Sequence, residues 1–133
     1  MSILRAKVSH IAGHEGVHIV KCDFFDSRIS MMSLAINESI MIGAEVALVI
    51  NPAHVAIARK SAYEVSYANQ LPVTIACIKH GTLLSRIILR FYDTTLESII
   101  MRESAVRMGL SEGDDVLALI KASEVSIQKV YHV

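Results

Sequence analysis

The residues of this chain that could do chemistry lie in two short polar segments of its second half. The first segment, residues 66–72, leads into a run of β-forming residues, and the second, residues 120–125, is an aliphatic run interrupted by a lysine and a serine. They read Ser66-Tyr67-Ala68-Asn69-Gln70-Leu71-Pro72 and Ile120-Lys121-Ala122-Ser123-Glu124-Val125. Hydroxyl groups, backbone N–H groups and one ammonium are donors that bind oxyanions. The pattern leaves two interpretations open: an oxyanion site, or the ordinary residues of a strand start and a hairpin.

The other candidate residues form no catalytic or metal-binding motif. His10, His14 and His18 are four residues apart, but Gly13 and Gly16 interrupt any helix that would align them. We therefore interpret these histidines as strand and turn residues. The chain has no Gly-x-x-x-x-Gly-Lys or Gly-x-Gly-x-x-Gly motif for phosphates. The sequence predicts a binding protein with no catalytic residues, no metal ligands and no organic cofactor.

Composition narrows the classes of partner. The chain has 133 residues, with 13 basic and 13 acidic side chains and 5% aromatic residues. A neutral chain with few aromatic residues has neither a basic stripe nor a groove for stacking bases. We therefore expect that this chain by itself does not bind nucleic acid. The chain has no long apolar run and no signal-peptide pattern, so we expect no membrane contact and a cytoplasmic location.

The sequence repeats itself at one constant offset. Four positions of the two copies coincide, namely Gly43/Gly113, Val46/Val116, Ile50/Ile120 and Val55/Val125. A repeat about half as long as the chain predicts two copies of one small domain, residues 1–60 and residues 66–133. Residues 61–65 are too few for a loose linker. Each copy is near the lower size limit for folding alone, and 53% of the residues are hydrophobic, so we expect mutual packing and a homo-oligomer.

Each copy is predicted to contain five short strands and at most one helix. The predicted strands are residues 3–11, 17–25, 29–35, 45–50 and 54–58 in the first copy, and 71–78, 83–92, 96–101, 115–120 and 124–127 in the second. Residues 102–108 predict a helix that ends at a left-handed Gly109, whereas residues 37–41 suffice for one helical turn. We expect the last two strands of each copy to pair with each other. This content is typical of a small OB-fold-like barrel.

The second copy resembles the Mop domains of the TOBE group, which bind molybdate and tungstate. The resemblance rests on three separated motifs, in residues 66–71, 102–114 and 118–125. They contain Ser66-Tyr67-Ala68-Asn69-Gln70-Leu71, then Arg102-Glu103-Ser104-Ala105 with Gly109-Leu110 and Gly113-Asp114, then Ala118-Leu119-Ile120-Lys121-Ala122-Ser123-Glu124-Val125. The first copy resembles the family more loosely, through residues 4–8 and 49–55. Tandem copies are similar to di-Mop storage proteins and to the effector half of molybdate-responsive regulators.

The resemblance implies an all-β fold of two tandem OB-fold-like five-stranded β-barrels with a bound tetrahedral oxyanion. In the family, the anion lies at interfaces between domains of different subunits. Carried over by position, the oxyanion-binding residues are Ser66, Tyr67, Ala68, Asn69, Lys121, Ala122 and Ser123. Serine hydroxyls and backbone amides would donate hydrogen bonds, and Lys121 would offset part of the charge of the dianion.

Two departures from the family pattern bear on the site. Ala68 occupies the position of a family arginine, which removes a charged donor. In the first copy, Asn51 and Pro52 replace the Lys-Ala pair, so an ammonium and an amide donor are lost. We therefore expect anion binding mainly through the second copy.

The sequence as a whole predicts a cytoplasmic oxyanion-binding protein, not an enzyme, that holds molybdate or tungstate for storage or homeostasis. The alternative is an oxyanion-sensing regulatory module of a molybdate-responsive transcription regulator or transporter. A third interpretation, a generic OB-fold for single-stranded nucleic acid, is disfavoured by the neutral charge and the few aromatics.

Overall fold

The chain folds into two five-stranded antiparallel sheets of the same design. The computed structural model describes residues 1–60 and 64–131, so most of the predicted linker and the last two residues lie outside the described residues. The strands of the first half are β1 (Ser2–His14), β2 (Val17–Phe24), β3 (Ser27–Ser33), β4 (Glu45–Ile50) and β5 (Ala56–Ala58). Those of the second half are β6 (Asn69–His80), β7 (Leu84–Phe91), β8 (Thr94–Met101), β9 (Asp115–Ile120) and β10 (Val125–Tyr131). The predicted all-β class is confirmed.

The two halves exchange their last strands. The strand order is β10-β4-β1-β2-β3 in the first sheet and β5-β9-β6-β7-β8 in the second. Val125 of β10 lies opposite Ile50 of β4, and Ala56 of β5 lies opposite Leu119 of β9. Each sheet is therefore completed by a strand from the other half.

The predicted pairing of the last two strands within each half is wrong. β4 pairs with β10 and not with β5, and β9 pairs with β5 and not with β10. The 3-10 turns Pro52–His54 and Ala122–Glu124, which we call the first and second crossover turns, separate these strands. The residues that flank each turn are extended, so the chain continues to the other sheet instead of reversing into a hairpin. An alternating hydrophobic pattern identifies the buried face of a strand but not its partner.

The helix predicted in the second half is present, whereas the helical turn predicted in the first half is not. Helix α1 (Arg102–Arg107) follows β8, and Gly109 beyond it has a φ of 62°, as predicted for a left-handed residue. The helical turn predicted at residues 37–41 is only a turn, in which the Ile40 N–H donates to the Asn37 carbonyl at 2.9 Å. Among the described residues, no helix is long and apolar enough to cross a membrane.

A single hydrophobic core involves both halves. The central strands β4 and β9 are its most enclosed parts, and consecutive residues of β4 are buried on both faces. Side chains with at most 2% exposure come from both halves and include Leu4, Leu48, Ile50, Leu71, Ile87 and Ile120. Because each central strand lies between a strand of its own half and one of the other half, the core forms only when both halves are present.

A stack of four aromatic rings joins the β2–β3 turn to the β7–β8 turn. Phe24 stacks on Phe91 with ring centroids 5.4 Å apart, and Phe25 stacks on Tyr92 at 4.8 Å. Phe25 and Tyr92 both have a φ of 53°, in the left-handed region that costs a non-glycine residue about 1–3 kcal/mol. Aromatic stacking between the halves offsets part of this strain.

Arg59, which directly follows β5, forms hydrogen bonds with residues of the second half. Its guanidinium donates to Asp114 Oδ2 at 3.1 Å and to the Met108 carbonyl at 2.7 Å. The backbone N–H of Ser111 and the Arg59 guanidinium together lower the pKa of the Asp114 carboxyl below its ordinary value. The exchanged strand β5 is only three residues long and makes few backbone hydrogen bonds with β9. The Arg59 side chain therefore adds contacts that hold β5 to the second half.

Buried polar side chains at equivalent positions also link the halves. Asn69 is 1% exposed, and its amide accepts from the Ser30 N–H at 2.8 Å and donates to the Ser30 carbonyl at 2.9 Å. Ser2, at the start of β1, is 6% exposed and accepts from the Glu97 N–H at 3.0 Å. Each first strand is thus tied to the third strand of the other half.

We predict that Val125→Ala weakens the first sheet although Val125 belongs to the second half. Val125 is 2% exposed, so its truncation leaves a cavity and should lower the free energy of unfolding by about 2 kcal/mol. Amide hydrogen exchange should become faster in β4. Urea denaturation and hydrogen-exchange mass spectrometry measure these effects, with the exposed Gln128→Ala on the same strand as control. Faster exchange in β9 with β4 unchanged would show that β10 pairs within its own half.

We predict that Asn69→Ala lowers the free energy of unfolding by about 2 kcal/mol, because it leaves the Ser30 N–H and carbonyl without buried partners. Denaturant unfolding measures the change. Ser66→Ala, three residues earlier and exposed, is the control and should change stability by no more than about 0.5 kcal/mol. Equal stability of the two variants would contradict the linking role of Asn69.

Candidate functional site

The predicted site residues lie just before β6 and at the second crossover turn, which are neighbours in space. Asn69 at the start of β6 lies opposite Ile120 at the end of β9, so the residues that precede β6 run beside those that follow β9. Tyr67 and Lys121 line one hollow of about 330 Å³. The lining of this hollow, which we call the Lys121 hollow, includes Ala53, His54, Tyr67, Ile99, Lys121 and Glu124.

Lys121 supplies the ammonium of the hollow. It is exposed and immediately precedes the second crossover turn. Within residues 1–60 and 64–131, its ammonium forms no ion pair with a carboxylate. An ammonium that is not engaged by a carboxylate can form charge-assisted hydrogen bonds with an anionic ligand.

The second crossover turn adds backbone donors beside Lys121. Its first internal hydrogen bond runs from the Glu124 N–H to the Lys121 carbonyl at 2.9 Å. The N–H groups of Ala122 and Ser123 precede that bond, and N–H groups at the start of a helical turn have no acceptor within the turn. Ala122 is half-buried and Ser123 is exposed. The turn therefore has two amides and a hydroxyl at the positions that follow Lys121 in the sequence.

The first crossover turn has the same shape and different chemistry. Its equivalent internal bond runs from the His54 N–H to the Asn51 carbonyl at 2.9 Å. Pro52 has no N–H, and the Ala53 N–H donates to Asn51 Oδ1 at 2.9 Å. The first turn therefore has no N–H donor at Pro52, and its N–H donor at Ala53 is already hydrogen-bonded.

Three of the seven predicted residues line one of two separate hollows near the second crossover turn. Tyr67 and Lys121 line the Lys121 hollow, whereas Ser123 lines a second hollow of about 310 Å³ between β3 and β10. Ser66 and Ala68 are exposed in the segment that leads into β6. Asn69 is buried, and its side-chain amide is bound to the backbone of β3.

A histidine–glutamate contact that could not be predicted from the sequence joins the two crossover turns. His54 Nδ1 lies 2.8 Å from Glu124 Oε2, and both residues line the Lys121 hollow. They occupy the same position of the repeat, directly before Val55 and Val125. The repeat aligned them, but their contact could not be predicted because it arises from the strand exchange.

The histidines with four-residue spacing lie on a hairpin. His10 and His14 are on β1 and His18 is on β2, where it lies opposite Gly13. Across the described parts of the chain, no group of three or more His, Cys, Asp or Glu side chains is arranged to hold a metal ion. The three histidines are therefore strand residues on either side of a turn, in agreement with the prediction.

Comparison with known proteins finds similarity over about half of the chain. Residues 66–127 match the TOBE domain family. The molybdenum import ATP-binding protein ModC of Brucella abortus is 40% identical over 72 residues, which are 53% of this chain and 20% of that protein. ModC of Brucella suis matches to the same extent. The chain thus spans about a fifth of the length of these curated relatives.

Solved structures extend the relationship to the whole fold. The cytoplasmic molybdate-binding protein ModG, in a form with molybdate bound, superposes with a TM-score of 0.86 at 24% identity, over 95% of this chain and 94% of that chain. A molybdate-binding protein from Sporomusa ovata is 33% identical over 50% of this chain and all of its own, with a TM-score of 0.49. The predicted tandem OB-like fold is confirmed by the match to ModG. The TOBE match covers residues 66–127, just under half of the chain.

Proposed function

We propose that this chain binds molybdate or tungstate in the cytoplasm, for storage or homeostasis, and catalyses no reaction. The observation that carries the proposal is that Lys121, which within the described residues forms no ion pair with a carboxylate, directly precedes the second crossover turn and lines the same hollow as Tyr67. ModG, which shares the fold, is a molybdate-binding protein, and ModC is a molybdenum import protein. Both relationships support the same ligand.

The proposed contacts suit a tetrahedral dianion. Lys121 would compensate part of its charge, and short donors around it would satisfy the oxygens in several directions. The proposed contact residues are Ser66, Tyr67, Ala68, Asn69, Lys121, Ala122 and Ser123. Asn69 would contribute through its backbone and by holding the start of β6, because its amide is bound to Ser30.

We further propose that a neighbouring subunit completes the site in a homo-oligomer. Tyr67 and Lys121 line the Lys121 hollow, whereas Ser123 lines the other hollow. A single chain would therefore surround an anion on one side only. Donors from a second copy would close the ring without adding net charge, since the chain itself is neutral.

Binding would use the second crossover turn rather than the first. Pro52 and the engaged Ala53 N–H leave the first turn without the equivalent backbone donors, and Asn51 replaces the lysine. Molybdate and tungstate have the same charge and nearly the same size, so the site should bind both. Sulfate is smaller, and donors left unfilled around it would reduce its affinity.

One finding favours the alternative role of an oxyanion-sensing module in a transporter. The segment of ModC that matches this chain is part of an import ATP-binding protein. In that role, molybdate would change how the chain associates with a partner. Native mass spectrometry with and without molybdate distinguishes the two roles, because a store would gain anions while its partners stay the same.

We predict that Lys121→Ala weakens molybdate binding by about 1–3 kcal/mol, because a charge-assisted hydrogen bond is lost. Isothermal titration calorimetry with molybdate measures the affinity, and circular dichroism verifies the fold. Lys129→Ala is the matched control, since Lys129 is an exposed lysine on β10 whose ammonium lies 5.1 Å from the Tyr131 ring, outside the hollow. Unchanged affinity in Lys121→Ala would remove this lysine from the site.

A further inference from the structure

The Lys121 hollow contains a hydrogen-bonded histidine–glutamate pair for which oxyanion binding alone gives no reason. His54 Nδ1 and Glu124 Oε2 are 2.8 Å apart, and their side chains are 47% and 38% exposed. Glu124 brings a carboxylate into the hollow that would receive a dianion, and two negative groups repel each other. The charge of this carboxylate is therefore an obstacle to binding unless it is compensated.

The titratable groups around His54 can be named for each neighbouring element. The second crossover turn and the residue before it bring Glu124 and Lys121, and the segment before β6 brings Tyr67. Strand β8, which packs against the first crossover turn, carries Glu97, whose carboxylate is bound to Arg86 at 2.6 and 3.0 Å. His54 is the one histidine among the described residues that line the hollow, and histidine is the type of side chain whose charge changes most readily near neutral pH.

The protonation state of His54 changes the charge that an entering anion meets. With neutral His54, the charges of Lys121 and Glu124 cancel. With protonated His54, Glu124 is neutralised by its partner at 2.8 Å and the ammonium of Lys121 remains uncompensated. An imidazolium also has two N–H donors, so Nε2 keeps one while Nδ1 serves Glu124.

We infer that oxyanion binding in the Lys121 hollow is coupled to proton uptake by His54, so that His54 determines how the affinity depends on pH. The inference rests on the proposed function. Its sign follows from the charges, because the protonated form attracts the dianion more strongly. Affinity therefore falls as the pH rises through the range in which histidine loses its proton.

Calorimetry of the full chain with sodium molybdate tests this coupling. Titrations at pH 7 in buffers of different ionisation enthalpy count the protons taken up, and titrations at about pH 6 and about pH 8 give the affinity ratio. We expect net proton uptake in the natural chain and an affinity about fivefold higher at the lower pH. His54→Gln, which keeps a neutral donor for Glu124, should show no uptake and a flat pH profile.

Two further variants separate this coupling from a purely structural role of the pair. Glu124→Gln should bind molybdate more tightly than the natural chain at about pH 8, because the repelling carboxylate is gone. A structural pair predicts the opposite, namely weaker binding in both His54→Gln and Glu124→Gln. His14→Gln is the matched control, since His14 lies at the exposed end of β1 and should leave proton uptake unchanged.

The outcomes distinguish this inference from the proposed function. Molybdate binding without proton uptake, or weaker binding by Glu124→Gln at about pH 8, would overturn the coupling and leave the proposed function in place. Absence of molybdate binding at both pH values would overturn both. Proton uptake that persists in His54→Gln and disappears in His14→Gln would assign it to the wrong histidine and also overturn the inference.

Discussion

The backbone groups along one edge of β4 are paired by β10, a strand that arrives from the other half of the chain. The same relation holds for β9 and β5. Without the exchange, each central strand would present a free edge, which is costly when buried and prone to pairing with other chains. The exchange also brings the two crossover turns together, as the His54–Glu124 contact shows. The pairing of β6 with β9 brings Tyr67 and Lys121 together within one half, whereas the contact of His54 with Glu124 depends on the exchange.

The duplicated architecture separates shape from chemistry. Both crossover turns follow a central strand and make the same internal backbone bond. They differ in chemistry. In the first turn, Asn51 and Pro52 occupy the places of Lys121 and Ala122, and the Ala53 N–H, which corresponds to that of Ser123, is already hydrogen-bonded. One copy can then provide the scaffold while the other provides the donors. In this division the second turn has a lysine and two amides where the first turn has an asparagine, a proline and an engaged amide.

Local features of the fold could be predicted from the sequence, whereas long-range ones could not. Alternating apolar residues located the strands, and Gly109 located the end of α1, because both signals act over a few residues. The partner of β10 depends on contacts between distant segments, so its assignment to β9 was wrong. The His54–Glu124 pair was missed for the same reason. The boundaries 1–60 and 66–133 and the seven site residues remain predictions, as does the oligomer.

Crystals of the full chain grown with tungstate would test the central claim most directly, because the anomalous scattering of tungsten marks the anion without reference to the fold. We predict a tungsten peak beside the Lys121 ammonium and the N–H groups of Ala122 and Ser123, with donors from a second copy on its far side. The same map should show no peak at the first crossover turn. A well-occupied peak elsewhere, with none near Lys121, would contradict the account.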